Sequence, residues 1–331
     1  MRAAVIGGGA WGTALGHVLA SNGHETRIWA REAEVAAAIS RQHENPVFLS
    51  GAKLHDGLSG STDLSTVLDG AEVVIYATPS AHLREVARAG AGRVKRGAML
   101  GVATKGIEEA TLALMTDVVA AENTGHPVIA LSGPSFAAEV VTGQPTAIVA
   151  ASSDSDAAHC LQRALSNASF RVYTQGDVIG VELGGALKNV MAVATGIVEG
   201  VGLGFNSRAA LITRGLAEMT RLGVALGAKP STFAGLAGMG DLVLTCTGSL
   251  SRNRAIGEEI GKGATLVQAL AGKQTVAEGV VTAKSAGRLA DKFNVEMPIV
   301  TMVNRILFEG QTARRAVSEM MTRELRPEQD A

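Results

Sequence analysis

Residues 2–29 read RAAVIGGGAWGTALGHVLASNGHETRIW, and this stretch decides the fold. Residues 2–6 are an apolar run of strand length. Gly7, Gly9 and Gly12 follow it with the spacing G-x-G-x-x-G. An apolar helical pattern over 13–22 comes next, then Gly23-His24 as a turn and a second strand over 25–29. A glycine triplet alone says little. Inside a complete strand–helix–strand unit it has a purpose: residues without a Cβ let the chain turn tightly and lay its backbone against a pyrophosphate, which then sits at the positive end of the helix. The stretch predicts a dinucleotide site at the start of the chain.

The end of the second strand bears on which dinucleotide. An acidic side chain there would accept hydrogen bonds from ribose hydroxyls, as NAD-selective sites do. This chain has Ala30-Arg31, with Glu32 one step later. A guanidinium at that point can pair with the 2′-phosphate of NADP and stack on adenine. NADP(H) is favoured, and Glu32 keeps NAD(H) open; an exposed arginine at a helix start is the plainer reading of Arg31.

Outward from this unit, residues 41–64 show little periodicity and read as loops with short helical pieces. Strands and helices then alternate. A strand over 72–77 ends in Thr78-Pro79-Ser80, with a helix over 81–89. A strand over 99–103 ends in Thr104-Lys105-Gly106, and one over 128–131 ends in Ser132-Gly133-Pro134-Ser135-Phe136. A strand over 146–150, a helix over 155–165 and a short strand over 171–173 complete the series. Such alternation predicts a doubly wound, mostly parallel sheet, whose ligands sit outside the carboxyl ends of the strands. Lys105 and Ser135 lie at such ends and are candidates to face nicotinamide and substrate. Their plainer readings are a solvated loop lysine and a helix N-cap serine.

From residue 177 the pattern is helical: 179–200, 208–226, 252–260, 265–271, 277–291, 297–308 and a charged helix from 313. A dinucleotide-binding domain over 1–180 and an all-helical substrate domain over 181–331 follow. The first of these helices, IGVELGGALKNVMAVATGIVEG, has one residue out of place. Lys188 is its single cation, and its helical neighbours are Gly184, Ala192 and Thr195. Small side chains there leave room for another backbone or for a ligand, and the stripe is expected to face the cleft between the two domains. A lysine so placed is partly desolvated, which brings its pKa towards neutrality and suits it to proton transfer. The plainer reading is a lysine stem on an apolar surface with its head in water. Further on, Gly235-Leu236-Ala237-Gly238-Met239-Gly240-Asp241 sets a carboxylate after a glycine-rich turn. Ser251-Arg252-Asn253 brings a hydroxyl, a guanidinium and an amide to a helix start, which would suit a phosphate.

Composition narrows the classes. The chain has 331 residues, 47% hydrophobic and 18% charged, with a formal net charge of −1. No basic tract attracts nucleic acid or an anionic membrane surface. Forty glycines against two tryptophans, two tyrosines and seven phenylalanines point to close backbone packing rather than an aromatic recognition surface. No run reaches the roughly 18 consecutive apolar residues of a membrane span, so no membrane insertion is expected. The start of the chain has no secretory signal pattern. Cys160 and Cys246 are far apart and have no metal-ligand pattern beside them; free thiols in a reducing cytoplasm, and no metal, are expected.

Taken together, GGGAWGTALG (7–16), ATKG (103–106), SGPSFAAE (132–139), LGGALKNV (183–190), AALITRGLAEM (209–219), GMGDLVLTC (238–246), SRNR (251–254) and AEGV (277–280) resemble the bacterial-type NAD(P)-dependent glycerol-3-phosphate dehydrogenase family. The resemblance spans nearly the whole chain. It implies a Rossmann-type doubly wound sheet followed by an all-α C-terminal domain, the 6-phosphogluconate dehydrogenase-like plan. It implies reversible reduction of dihydroxyacetone phosphate to sn-glycerol 3-phosphate for glycerophospholipid biosynthesis, in a cytoplasmic homodimer. Lys188 matches the general acid/base. Lys105 matches a contact to substrate and cofactor, and Gly133, Ser135, Asp241, Ser251, Arg252 and Asn253 match substrate contacts. Gly7, Gly9, Gly12, Trp11, Arg31, Ala137, Arg252, Val276 and Glu278 match cofactor contacts. Ala10 stands where many members carry serine, so a backbone N–H alone would serve there.

Two other readings stay open on the sequence. One is a related hydroxyacid dehydrogenase of the 6-phosphogluconate or 3-hydroxyisobutyrate type, from which the segments around Asp241 and 251–253 divide this chain. The other is a non-catalytic NADPH sensor, which would need the glycine loop but not Lys105, Lys188 and Arg252.

Overall fold

The computed structural model describes residues 1–272, 277–325 and 327–328. Its first part alternates strands and helices: β1 (Arg2–Ile6), α1 (Ala10–Ser21), β2 (Glu25–Trp29), α2 (Ala33–Gln42), β3 (Leu58–Ser61), α3 (Leu64–Leu68), β4 (Val73–Tyr76), α4 (Leu83–Gly90), β5 (Met99–Val102), α5 (Met115–Glu122), β6 (Val128–Ser132), α6 (Ala137–Val141), β7 (Thr146–Ala151), α7 (Ser155–Leu165) and β8 (Phe170–Gln175). The strands form one sheet in the order β3-β2-β1-β4-β5-β6-β7-β8. Neighbours from β3 to β6 are parallel. β7 turns back antiparallel to β6, and β8 runs with β7.

Successive residues of β1 show why this sheet is covered twice. Ala3 and Val5 join the core beneath α1, α2 and α7, whereas Ala4 and Ile6 join the core beneath α3, α4 and α5. Period-2 alternation with both faces apolar is what a central parallel strand needs. The strand order reverses between β1 and β4, and the glycine loop opens at that point, where doubly wound sheets hold their ligands.

One strand departs from the sequence reading. β3, LSGS, lies within the stretch read as loops. It is a short edge strand with one large apolar side chain, Leu58, so it carries no alternation to detect. Its Gly60 lets the α2 backbone close in: a Cβ there would fall 2.7 Å from the Ala36 carbonyl oxygen.

After β8 every described element is helical: α8 (Val178–Gly200), α9 (Phe205–Ala225), α10 (Pro230–Phe233), a π-helical turn (Leu236–Gly240), α11 (Asp241–Thr247), α12 (Arg252–Gly261), α13 (Leu266–Leu270), α14 (Glu278–Lys292), α15 (Pro298–Phe308) and α16 (Ala313–Met321). α8 is buried almost all round, and α9, α11, α12 and α14 pack on it. That explains an apolar pattern wider than one stripe. Glycines set the spacing. A Cβ on Gly196 would lie 1.9 Å from the Arg254 carbonyl oxygen, and one on Gly257 would lie 2.1 Å from that of Val193. α8 and α12 therefore touch backbone to backbone. A small shared core of Ala130, Val149, Ala151, Val181 and Ala237 joins the sheet to the helices.

Candidate active site

Three side chains from separate segments meet where the sheet adjoins α8. Lys105 follows β5, Lys188 lies in the middle of α8, and Asp241 opens α11. The Lys105 Nζ donates to Asp241 Oδ2 at 2.6 Å, and the Lys188 Nζ donates to Asp241 Oδ1. Asp241 has no exposed surface, and the side chains of Lys188 and Lys105 are 9% and 17% exposed. The Lys188 Nζ also donates to the Thr245 hydroxyl at 2.9 Å, and that hydroxyl donates to the Asp241 carbonyl oxygen at 2.6 Å.

The backbone that carries Asp241 is not the open glycine-rich turn that the sequence suggested. It winds as a π-helical turn straight into α11. A Cβ on Gly238 would fall 2.1 Å from the Phe233 carbonyl oxygen, so close packing is what the glycine serves. On the facing side, a Cβ on Gly184 would fall 2.4 Å from the Ala237 carbonyl oxygen. Ala192 and Thr195 are fully buried, and the Thr195 hydroxyl donates to the Met191 carbonyl. The small-residue stripe of α8 is thus buried, with Gly184 against the Ala237 backbone, and it lines no open cleft.

The electrostatics of the cluster follow from burial. Two ammonium groups share one carboxylate, so the cluster carries a net positive charge away from water. Burial pulls the Lys188 pKa down to about 7; Asp241 opposes this, and the nearby Lys105 cation adds to the fall. Burial alone would raise the Asp241 pKa, but the Lys105 and Lys188 cations outweigh it and hold the carboxyl below its ordinary value. An amine that exchanges its proton near neutrality beside a fixed carboxylate has the properties of a general acid/base. The residual positive charge suits an oxygen that gains negative charge.

Gly133 and Ser135 border this cluster. The Lys105 Nζ makes a long contact of 3.5 Å to the Gly133 carbonyl oxygen, and the Ser135 hydroxyl donates to the same oxygen at 2.9 Å. Ser135 does not cap α6, whose N-cap is Phe136. At the start of α12, the Ser251 hydroxyl accepts from the Arg254 N–H, so it caps its own helix. The Asn253 amide donates to Asn189 Oδ1 at 3.0 Å and accepts from the Gly279 N–H at 3.0 Å, tying α12 to α8 and α14. Of the expected phosphate trio, Arg252 is exposed as a residue, but its guanidinium is partly shielded, burial lowering its pKa against the pull of the Glu278 carboxylate, whereas Ser251 and Asn253 have protein partners.

Sequence reasoning passed over Thr245 and Asn189. Thr245 lies one helical turn after Asp241, a spacing visible only once 241–247 is read as helix. Asn189 adjoins Lys188 and is buried. A polar amide inside an apolar helix was its signal.

The glycine loop lies at the other end of the site. Gly7 has φ of +131°, and a Cβ on it would fall 2.6 Å from the Ala77 carbonyl oxygen. A Cβ on Gly12 would fall 2.0 Å from the Gly7 carbonyl oxygen. Gly9 is the N-cap of α1 with no side-chain cap, and the space beside it is open. A helix start with no capping side chain and a glycine at its N-cap fits a pyrophosphate. Trp11 stacks obliquely on Phe170 at 6.5 Å, and its Nε1 is buried without a hydrogen-bond partner. Arg31 is exposed beyond β2 and donates through Nε and Nη2 to Glu32 Oε1 at 3.1 and 2.9 Å. Ala137 opens α6, which packs on α1. Glu278 opens α14 and accepts from the Ser80 N–H at 3.0 Å and the Ser80 hydroxyl at 2.5 Å. Val276 lies outside the described residues.

Comparison with known proteins agrees along the whole chain. Residues 2–158 match the protein-family model described as NAD-dependent glycerol-3-phosphate dehydrogenase N-terminus, and residues 177–318 match the one described as its C-terminus. The chain is 51% identical over 332 residues to the glycerol-3-phosphate dehydrogenase (NAD(P)+) of Trichlorobacter lovleyi, covering 99% of this chain and 100% of that one. It is 49% identical over 331 residues to that of Myxococcus xanthus, covering 99% of each. A crystal structure of glycerol-3-phosphate dehydrogenase from Coxiella burnetii superposes with a TM-score of 0.94 at 39% identity, over 97% of this chain and 99% of that one.

Proposed function

The chain belongs to the NAD-dependent glycerol-3-phosphate dehydrogenase family and has NAD(P)+-dependent glycerol-3-phosphate dehydrogenase activity; from this premise we propose that it reduces dihydroxyacetone phosphate to sn-glycerol 3-phosphate with Lys188 as the proton donor. The observation that carries this reading is the buried Lys105–Asp241–Lys188 cluster. A nicotinamide cofactor bound on the glycine loop supplies the hydride that reduces the carbonyl carbon C2. As C2 gains that electron pair, the carbonyl π pair moves onto oxygen, and the Lys188 ammonium gives its proton to that oxygen. Lys188 is left neutral and recovers a proton from solvent before the next turnover. In the oxidising direction the neutral amine takes the hydroxyl proton.

Asp241 holds Lys188 in place and stays ionised. Lys105 keeps the pocket cationic from the sheet side. The Arg252 guanidinium and the start of α12 are suited to the substrate phosphate, with Gly133, Ser135, Ser251 and Asn253 completing the substrate shell. Gly7, Gly9, Ala10, Trp11, Gly12, Arg31, Ala137, Val276 and Glu278 hold the cofactor in this reading, and the exposed Arg31 favours NADP(H). The same reading divides the chain at residue 180 and makes the enzyme a cytoplasmic homodimer that supplies glycerophospholipid synthesis.

The test is a cofactor-oxidation assay with dihydroxyacetone phosphate alongside titration of NADPH binding. Lys188→Ala should lose turnover and keep its NADPH affinity. Full turnover in that variant, or reduction of NADP+ by 6-phosphogluconate-type hydroxyacids with no turnover of dihydroxyacetone phosphate, would overturn the assignment.

A further inference from the structure

The segment between α2 and β3 is almost without regular structure, yet Asn45 within it has no exposed surface. Its Nδ2 donates to the Gly8 carbonyl oxygen at 2.8 Å and to the Thr13 hydroxyl at 2.8 Å. Its Oδ1 accepts from the Phe48 N–H at 3.1 Å. Thr13 is equally buried, and its hydroxyl donates to the same Gly8 oxygen at 3.4 Å. Two side chains therefore draw the Gly8 carbonyl into the protein.

That carbonyl belongs to the glycine loop. In a trans peptide the C=O and the following N–H point in opposite directions. Holding the Gly8 oxygen inward aims the Gly9 N–H outward, ahead of α1, where the open space beside Gly9 lies. Gly8 and Gly9 have no side chains to fix this peptide themselves, and glycine is the residue with the most backbone freedom to lose. Ala10 adds no polar side chain to the anion end of α1. The direction of the loop's N–H groups therefore depends on what grips the loop from behind.

We infer that Asn45 is a positioning residue for cofactor binding: with Thr13 as its partner, it fixes the Gly8–Gly9 peptide so that the loop presents its N–H groups to the dinucleotide pyrophosphate. This rests on the reading that the loop ahead of α1 holds that pyrophosphate. Asn45 does not touch the cofactor and acts through Gly8.

The experiment measures NADPH dissociation constants by titration calorimetry on the full chain, with thermal stability of each variant alongside. Asn45→Ala should raise the NADPH Kd about tenfold, the loss of one buried hydrogen bond, and should leave kcat at saturating NADPH and the KM for dihydroxyacetone phosphate within about twofold. Ile39→Ala, on the buried face of the adjoining α2, lowers stability without removing a hydrogen bond to the loop and should leave Kd unchanged. Thr13→Val should raise Kd in the same direction, and the double variant should fall short of the product of the two, because both act on one carbonyl. If Asn45→Ala does not fold, Thr13→Val carries the test alone. Unchanged Kd in the variants that fold, or an equal rise in Ile39→Ala, overturns the inference. Ala10→Asp separates the two levels: a carboxylate at the helix start should abolish NADPH binding if the pyrophosphate lies there. Unchanged affinity in Ala10→Asp overturns the loop reading itself. Lost affinity in Ala10→Asp with unchanged affinity in Asn45→Ala overturns the role of Asn45 alone.

Discussion

The Lys188 ammonium and the Asp241 carboxylate form an ion pair with almost no contact with water, Lys188 from the centre of α8 and Asp241 from the first turn of α11. An ion pair buried this deeply is poor evidence for stability, because desolvation offsets much of the attraction. It makes chemical sense if the lysine must be able to lose its proton. Its pKa, lowered by burial to about 7, predicts the pH dependence. Reduction needs the protonated amine, so its rate should fall as the pH rises through about 7; oxidation needs the neutral amine and should fall as the pH drops through the same value. Asp241→Asn removes the charge that opposes desolvation, so the limb for reduction should move to lower pH. Turnover should fall by roughly a hundredfold or more at neutral pH, the usual worth of a general acid. The measurement is kcat/KM for dihydroxyacetone phosphate across the pH range. A limb that stays in place in Asp241→Asn removes the coupling.

Thr245 gives a second handle on the same amine. Its hydroxyl accepts from Lys188 and donates to the backbone of Asp241, so it fixes where the ammonium points. Thr245→Val keeps the shape and loses both bonds. We expect kcat to drop by about tenfold, the worth of one hydrogen bond to a charged group, with NADPH affinity unchanged. Steady-state kinetics and a binding titration on one preparation decide it; an unchanged kcat would mean that Lys188 is held by Asp241 alone.

The two levels of structure differ in how legible they were. β1, α1 and β2 could be read from residues 2–29 because local apolar periodicity and a glycine spacing determine them. So could most helices after α8. β3 could not, since an edge strand reading LSGS has one large apolar side chain and pairs only along one side. Lys105, Lys188 and Asp241 were each visible as odd residues, a cation on a strand end, a cation in an apolar helix, a carboxylate after glycines. That one carboxylate binds both cations was not visible, because its partners lie 136 and 53 positions away. The stripe beside Lys188 misled for a related reason: small residues on a helix fit a ligand and a neighbouring backbone equally well, and only the fold put the Ala237 carbonyl there.

Glu218 predicts a pH effect on stability that is separate from catalysis. It is buried on α9 and accepts from the Ile299 N–H at 2.7 Å and the Val300 N–H at 3.4 Å, capping α15. Burial lifts its pKa to about 7, against the pull of those two bonds. A carboxyl whose folded pKa is raised binds more protons in the fold than in the unfolded chain, so its stabilising share is complete below its unfolded pKa and is lost as the pH rises through about 7. The rise from 4.5 to about 7 makes this share roughly 3 kcal/mol. Glu218→Gln removes that dependence. Relative to the parent, the variant should be less stable at acid pH and should recover ground above neutrality, as read by thermal unfolding at two pH values. A constant difference in Tm would show that Glu218 does not titrate in this range.

In the proposed reading, cofactor choice turns on Arg31. Its guanidinium is 75% exposed beyond β2, and its present partner is Glu32 beside it. An exposed pair of this kind contributes about 0–1 kcal/mol, so a 2′-phosphate with two negative charges would compete for the guanidinium at little cost. Arg31→Ala should therefore raise the KM for NADPH about tenfold or more and leave that for NADH nearly unchanged, since only NADPH offers the phosphate. Glu32→Gln frees the guanidinium and removes a nearby negative charge, so it should move the preference further towards NADPH. Both effects are electrostatic at an exposed site and should shrink as salt rises from low to physiological strength. Kinetics with the two cofactors at two salt concentrations separate this from a packing effect, which salt would not change. If Arg31→Ala weakened both cofactors equally, the residue would be holding the adenine by stacking and not the 2′-phosphate.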